Sequence, residues 1–362
     1  MILNQAWIFL AAIVIALITT PLHAETKRTS SGKPDLSGTY DTGTLTPLER
    51  PEFLGSVSYV YPWVAEIGNW IAKTGKEYLE QRKSDPNRAA PPKGGEGDLG
   101  GAAGGTGGYN AFYIDLGDSL TVVDGVVPTS IIYDPPNGRQ PQRSANFMSQ
   151  VRKFYPSAFH QNTGTATWLD TEGPGPFDGP ESVGLPERCL LSFASTVPTI
   201  PSLYNNYKRI VQTDTHVMIL QEMVHHARVI RIDSEHNSDD NRHWLGDSIG
   251  YWDGDVLVVE TKNFKPVSSL PGATENLHVV ERFSRKPNGD LDYDFTVNDP
   301  EAWAAPWSGR YQWRASDNKV YEYACHEGNY AMGNILRGAR LLESEWQEET
   351  AAISPDSAGG VP

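Results

Sequence analysis

Residues 277–298 read LHVVERFSRKPNGDLDYDFTVN, and this stretch predicts a β-hairpin. Two runs of alternating apolar and polar residues flank the dipeptide Asn288-Gly289, which is typical of a tight hairpin turn. A second tight turn is predicted at the Asp-Gly pair of residues 253–254, between two further β-rich runs. Two hairpins this close together along the chain favour a sheet of antiparallel strands.

The hairpins belong to a longer series of strands that begins at residue 208. We predict nine strands, which cover residues 208–213, 216–223, 227–233, 247–252, 255–261, 277–284, 290–298, 311–315 and 319–325. Strands joined by short links form an antiparallel meander, and closure of a long meander removes its exposed edges. We therefore expect a mainly β protein whose meander forms a lipocalin-like barrel or a strongly curved sheet.

The first half of the chain predicts less regular structure. A helix is expected over residues 63–83, where apolar residues recur at helical spacing, and a shorter one within residues 142–153. Residues 94–108 contain nine glycines but no phosphate-binding motif, so we expect a loop there. The predicted organisation is a signal peptide (1–24), a loop-rich region with one helix and short strands (25–207), the meander (208–345) and a flexible tail (346–362).

The composition restricts the class of function. Asp and Glu number 45 against 30 Lys and Arg, which gives a formal net charge of −15. Binding of nucleic acid needs a cationic surface that displaces counterions from phosphate, so this balance argues against it. Apolar residues make up 39% of the chain, which is enough to bury a substantial core.

The N-terminus predicts export. Residues 7–18 form an uncharged apolar run, and charged residues begin only after Ala24. This pattern is typical of a secretory signal peptide, and the run is shorter than the roughly 20 residues that span a bilayer. We therefore expect cleavage near Ala24, a periplasmic or secreted location, and no membrane insertion of the mature chain. An uncleaved anchor is the alternative.

The two cysteines, Cys189 and Cys325, predict a disulfide if the chain is exported. An oxidising compartment favours one bridge between them. The alternative is a free catalytic thiol at Cys325, which has His326 beside it. Neighbours along a strand point to opposite faces, so this adjacency does not by itself make a Cys–His pair.

Candidate site residues are the polar side chains of otherwise apolar strands, since the common catalytic motifs GxSxG, HExxH, CxxC and the P-loop are absent. The candidates for acid–base catalysis are His225, His278, Glu222, Glu281, His326 and Asp247. The candidates for substrate binding are Arg228, Arg282, Trp244 and Tyr323.

Histidine titrates near neutral pH and burial tunes carboxylates, so such a set inside a barrel could transfer protons. The same groups are a common ligand set for a divalent metal. We predict no cofactor but leave a divalent metal open. Strand alternation places His278 and Arg282 on one face and Glu281 on the other. A purely structural role for each side chain, including ion pairs at strand ends, is the alternative.

Many aromatic residues lie in the last 60 residues, and aromatic cavities are the usual form of a small-molecule site. These features predict an exported enzyme that acts on a hydrophobic or aromatic small molecule by proton transfer, in hydration, elimination, isomerisation or hydrolysis. The alternative is a non-catalytic carrier or sensor with the same barrel. A structural or interaction protein of the cell envelope is a third alternative.

Several motifs resemble an uncharacterised family of exported bacterial proteins. They are PDLSG (34–38), YDPPNGR (133–139), WLGDS (244–248), LHVVERF (277–283) and YEYACHEGNY (321–330). The resemblance extends from about residue 34 to residue 340 and is most specific in the last motif. It implies export and a shared fold but no activity. The family tends to carry Asp where this chain has His226, so the resemblance favours His225 as the role-bearing residue.

Overall fold

The fold is described by a computed structural model, which covers residues 26–80, 114–154, 156 and 163–353. The strands are β1 (Gly38–Asp41), β2 (Tyr59–Val60), β3 (Val127–Pro128), β4 (Ile132–Asp134), β5 (Tyr207–Gln212), β6 (His216–Gln221), β7 (Ala227–Ile232), β8 (Asp247–Asp253), β9 (Val256–Lys262), β10 (His278–Arg285), β11 (Leu291–Asn298) and β12 (Trp307–Ser316). The α-helices are α1 (Pro62–Glu80), α2 (Phe147–Phe154) and α3 (Tyr330–Ile353). The predicted signal peptide and the glycine-rich stretch lie outside the described residues.

Nine of the described strands form a closed ring. The order is β1, β5, β6, β7, β8, β9, β10, β11 and β12, and β12 pairs back with β1. Neighbouring strands are antiparallel except β7 and β8, which run parallel. The short strand β4 pairs with the beginning of β12, and β2 and β3 form a small separate sheet. The prediction of a mainly β chain with a closed barrel is confirmed.

Two details of the predicted meander are wrong. Residues 319–325 form no strand, because this segment runs outside the barrel and is fixed there by a disulfide at Cys325. Strand β1, from the N-terminal half of the chain, takes the closing position instead. The link across residues 233–246 makes a crossover rather than a hairpin, so β7 and β8 are parallel.

The predicted helices are present, but the end of the chain differs from the prediction. Helices α1 and α2 lie where the sequence places them. Helix α3 occupies the end of the predicted meander and continues into residues 346–353, which we expected to begin a flexible tail.

The barrel interior is filled by side chains that alternate along each strand. On β11, Leu291, Tyr293, Phe295 and Val297 are fully buried, and the residues between them face outward. Burial of such aromatic and aliphatic side chains is the main stabilising contribution to a core of this kind. The segment around Thr199 enters this interior, where its N–H donates to Tyr293 Oη at 2.9 Å and its carbonyl oxygen accepts from Tyr311 Oη at 3.1 Å.

Candidate functional site

An ion pair lies inside the barrel. Arg228 on β7 and Glu281 on β10 pair through both guanidinium Nη atoms, and both side chains are inaccessible to solvent. Arg228 also donates to Ser248 Oγ at 2.9 Å, and Tyr293 Oη donates to Glu281 Oε1 at 2.7 Å. A buried charge is tolerated only when it is paired and hydrogen-bonded, as both charges are here. The contacts of Glu281 and Arg228 therefore support a structural role in the barrel.

A fully buried lysine lies in the same barrel, and the sequence analysis missed it. Burial lowers the pKa of Lys208 from its ordinary value of 10.5 to about 8, and Glu222 and Asp41 oppose that shift. Its Nζ lies 3.5 Å from the carbonyl oxygen of Ala194. The available signal was strand alternation, since Lys208 shares a face with the apolar Ile210 on β5.

Glu222 lies at the end of β6 and joins the barrel to the segment that precedes α3. Its Oε2 accepts from Asn205 Nδ2 at 3.2 Å, and its Oε1 accepts from the backbone N–H of Tyr321 at 3.4 Å. The carboxyl group is buried. Glu222 therefore holds residues 317–329 against the end of the barrel.

The candidate histidines do not meet in the barrel interior, so the expectation of an internal set of imidazoles is wrong. His278 lies on the outer face of β10, where Nε2 is 2.8 Å from Glu260 Oε1. This orientation follows from strand alternation, because Val279 and Glu281 point inward. His225 and His326 are exposed and lie outside the strands.

Arg282, also on the outer face of β10, pairs with Asp253 at 2.9 Å on the protein surface. The side chain of Trp244 is half-buried, and Lys265 Nζ lies 4.3 Å from the centre of its ring. Neither residue lines the cleft described below.

Asp247 accepts hydrogen bonds from three neighbours at the start of β8. Arg231 Nη1 lies 2.8 Å from its Oδ1, while His236 Nδ1 and the backbone N–H of Asn237 lie 3.0 and 2.9 Å from its Oδ2. Burial raises the pKa of Asp247, but the hydrogen bonds from Arg231, Asn237 and His236 outweigh it, so the pKa lies below 3.8. The carboxylate is thus ionised and anchors the crossover between β7 and β8.

The disulfide Cys189–Cys325 is present, as predicted, with its Cα atoms 5.9 Å apart. It joins the loop before β5 to the segment before α3, across 136 residues of sequence. A cleft of about 700 Å³ lies beside it. The lining residues are Pro186, Glu187, Cys189, Ser192, Phe193, Tyr204, Met223, Val224, Glu322, Tyr323, Ala324, Cys325, Gly328, Asn329 and Ala331.

The cleft walls are mostly apolar and are built on a small hydrophobic cluster separate from the barrel core. Tyr204 and Met223 are buried, and Phe193, Val224 and Tyr323 pack against them. Among the candidate residues, Tyr323 lines this cleft, and no histidine is found among its described lining residues.

Left-handed backbone occurs at four non-glycine residues in or beside the cleft. The φ angles are 57° at Cys189, 56° at Asn205, 60° at Val224 and 39° at His225. This region is costly for a β-branched residue such as Val224. Strained backbone of this kind often lies at functional sites.

In the described part of the chain, no group of three or more His, Cys, Asp or Glu side chains is arranged to hold a metal ion. None of the described helices combines the length and apolar character needed to cross a membrane. No family model, curated protein or solved structure matches the chain. The resemblance to a family of exported proteins therefore stays a prediction.

Proposed function

We propose that the protein is a periplasmic or secreted carrier or sensor that binds a hydrophobic or aromatic small molecule in the cleft beside Cys189–Cys325. The observation that carries this proposal is the lining of the cleft, which combines aromatic and aliphatic walls with few polar groups and no described histidine. Small-molecule sites typically have about 300–1,000 Å³ and this balance of lining residues.

The polar groups in the cleft support recognition of a ligand's polar end. Glu187, Glu322 and Asn329 lie at its walls, while Phe193 and Tyr323 supply aromatic surface. Two carboxylates disfavour an anionic ligand, so a neutral or cationic aromatic compound fits best. The disulfide is consistent with the oxidising compartment that the proposal requires.

The proposal is tested by titrating the protein with N-phenyl-1-naphthylamine, a neutral aromatic probe whose fluorescence rises on binding. Ala331→Trp places a large side chain in the cleft and should weaken binding at least about tenfold. Ala351→Trp adds the same side chain on an exposed part of α3 that lies outside the cleft, and should leave affinity within about twofold. Equal affinity in the two variants would refute binding in the cleft.

A catalytic role by proton transfer is the second candidate, favoured by the strained backbone at Val224 and His225 beside the cleft. Here His225 would act as acid or base, with the buried Glu222 three residues before it as the partner carboxylate. Turnover of aromatic esters and of α,β-unsaturated aromatic ketones should be lost in His225→Ala, while binding of the probe persists. An absence of turnover by the unmodified protein on both substrate classes would count against this candidate.

A further inference from the structure

A second pocket lies on the outer face of the barrel, apart from the cleft. It has a volume of about 370 Å³ and lies between β11, β12 and the turn that precedes β3. The lining residues are Tyr59, Val123, Asp124, Val126, Pro128, Ser130, Ile131, Tyr133, Asp294 and Arg310. None of these residues lines the cleft beside the disulfide.

Two opposite charges lie side by side in this pocket without pairing to each other. Asp294 on β11 and Arg310 on β12 are directly opposite in the strand register. Arg310 Nη1 instead donates to Asp124 Oδ2 at 3.1 Å. The carboxylate of Asp294 has a long contact, 3.4 Å from Tyr133 Oη, and forms no close ion pair in the described part of the chain, although Arg310 and Arg282 act on it from the two neighbouring strands.

Both charged side chains can still form direct polar contacts with a ligand. The side chain of Arg310 remains 36% exposed, and its Nη2 has no acceptor in the described part of the chain. Asp294 is half-buried, and burial raises its pKa even with Arg310 and Arg282 nearby, so a cation in direct contact would stabilise the ionised carboxylate. A ligand that brings an ammonium group to Asp294 and a carboxylate to Arg310 would satisfy both.

Apart from Asp124, which pairs with Arg310, and Ser130, the rest of the pocket lining is mostly apolar. Val123, Val126, Ile131 and the ring of Tyr59 form walls beside the charged pair. Directly opposite residues of an antiparallel pair have Cβ atoms about 5 Å apart, so one small molecule with adjacent ammonium and carboxylate groups can reach both side chains. An α-amino acid with an apolar side chain has these three features in one molecule.

We propose that this pocket binds a free α-amino acid with an aliphatic or aromatic side chain. The ammonium group binds Asp294, the carboxylate binds Arg310, and the side chain packs against Val123, Val126 and Ile131.

The first test uses the unmodified protein and isothermal titration calorimetry. L-Leucine and L-phenylalanine should bind. N-Acetyl-L-phenylalanine lacks the ammonium group and L-phenylalaninamide lacks the carboxylate, so each should bind at least about tenfold more weakly. No heat of binding with either amino acid, or equal affinity for the blocked derivatives, would overturn the proposal.

The second test assigns binding to the pocket. Asp294→Asn and Arg310→Gln should each weaken binding of L-phenylalanine at least about tenfold. Asp292→Asn is the matched control, because Asp292 lies on the same outer face of β11 but pairs with Lys286 at 3.0 Å outside the pocket. If Asp294→Asn and Asp292→Asn bind equally well, the site lies elsewhere.

Discussion

Arg228 and Glu281 stabilise the barrel only as a pair. Each is buried, and each would leave the other as an uncompensated charge if it were removed. Exposed pairs such as His278 and Glu260 contribute far less, because water already solvates both groups. The contribution of a charged pair to stability thus depends on whether its side chains face the barrel interior or the solvent.

Glu281→Ala should therefore lower the free energy of unfolding by about 3–5 kcal/mol, because Arg228 remains buried without its partner. Glu260→Ala, on the outer face of the barrel, should change it by at most about 1 kcal/mol. Urea unfolding followed by tryptophan fluorescence measures both. Similar losses in the two variants would contradict the assigned role of the buried pair.

Lys208 should make stability depend on pH. The pKa of Lys208 is about 8 in the folded protein, against an ordinary value of 10.5. Between these two pH values the unfolded chain binds more protons than the folded protein does. The free energy of unfolding therefore rises with pH across this window. Lys208→Met removes the cost of burying a protonated amine. The variant should be more stable by about 3 kcal/mol below pH 8, and the difference should vanish above pH 10.5. A difference independent of pH would show that the amine is not desolvated.

At the scale of elements, strand alternation predicted which residues of β10 share a face, but not that the face of His278 points outward. It separated His278 and Arg282 from Glu281, and the structure agrees. Alternation cannot show which strands surround a given face, and therefore could not bring Arg228 and Glu281 together. That pairing depends on the order of strands around the ring.

In helix α1, the large apolar residues do not mark the face that packs against the rest of the protein. Its large apolar residues Trp63 and Trp70 are exposed, and the helix packs instead through Ala65 and Asn69, whose Oδ1 accepts from the backbone N–H of Leu120 at 2.9 Å. Small residues allow close approach of two backbones, so hydrophobicity alone does not identify the packed face.

The segment 317–329 has no strand pairing and is attached by the disulfide together with hydrogen bonds such as that from the Tyr321 N–H to Glu222. Replacing both Cys189 and Cys325 by Ala should lower the free energy of unfolding by about 2–5 kcal/mol. Binding of the aromatic probe should also weaken, since the two cysteines lie in the wall of the cleft. Far-ultraviolet circular dichroism should show the barrel retained, and loss of the β signal would mean that the bridge supports the whole fold.

At the scale of the whole molecule, the ring closes between strands far apart in sequence. Arg314 on β12 pairs with Asp41 on β1 at 2.8 Å, across 273 residues. Contacts of such separation form slowly, because the entropy of closing a long loop must be overcome first. The sequence predicted short strands within residues 25–207 but could not assign one of them to this closure, since nothing local specifies a distant partner.

Arg314→Ala should therefore change mainly the rate of unfolding. Loss of the contacts to Asp41 should cost about 1 kcal/mol, expressed as faster unfolding with little change in the folding rate, because ring closure follows the formation of the hairpins. Stopped-flow measurements in urea separate the two rates. A slower folding rate with unchanged unfolding would place closure before the transition state.

The parallel contact between β7 and β8 has a geometric cause. Strand directions in a ring can alternate all the way around only if the number of strands is even. The ring of described strands has nine members, so at least one neighbouring pair must be parallel, and β7–β8 is that pair. Repetition of a two-stranded hairpin unit can therefore not generate this barrel. Gain or loss of a whole hairpin would preserve the parallel contact, whereas gain or loss of one strand would remove the need for it.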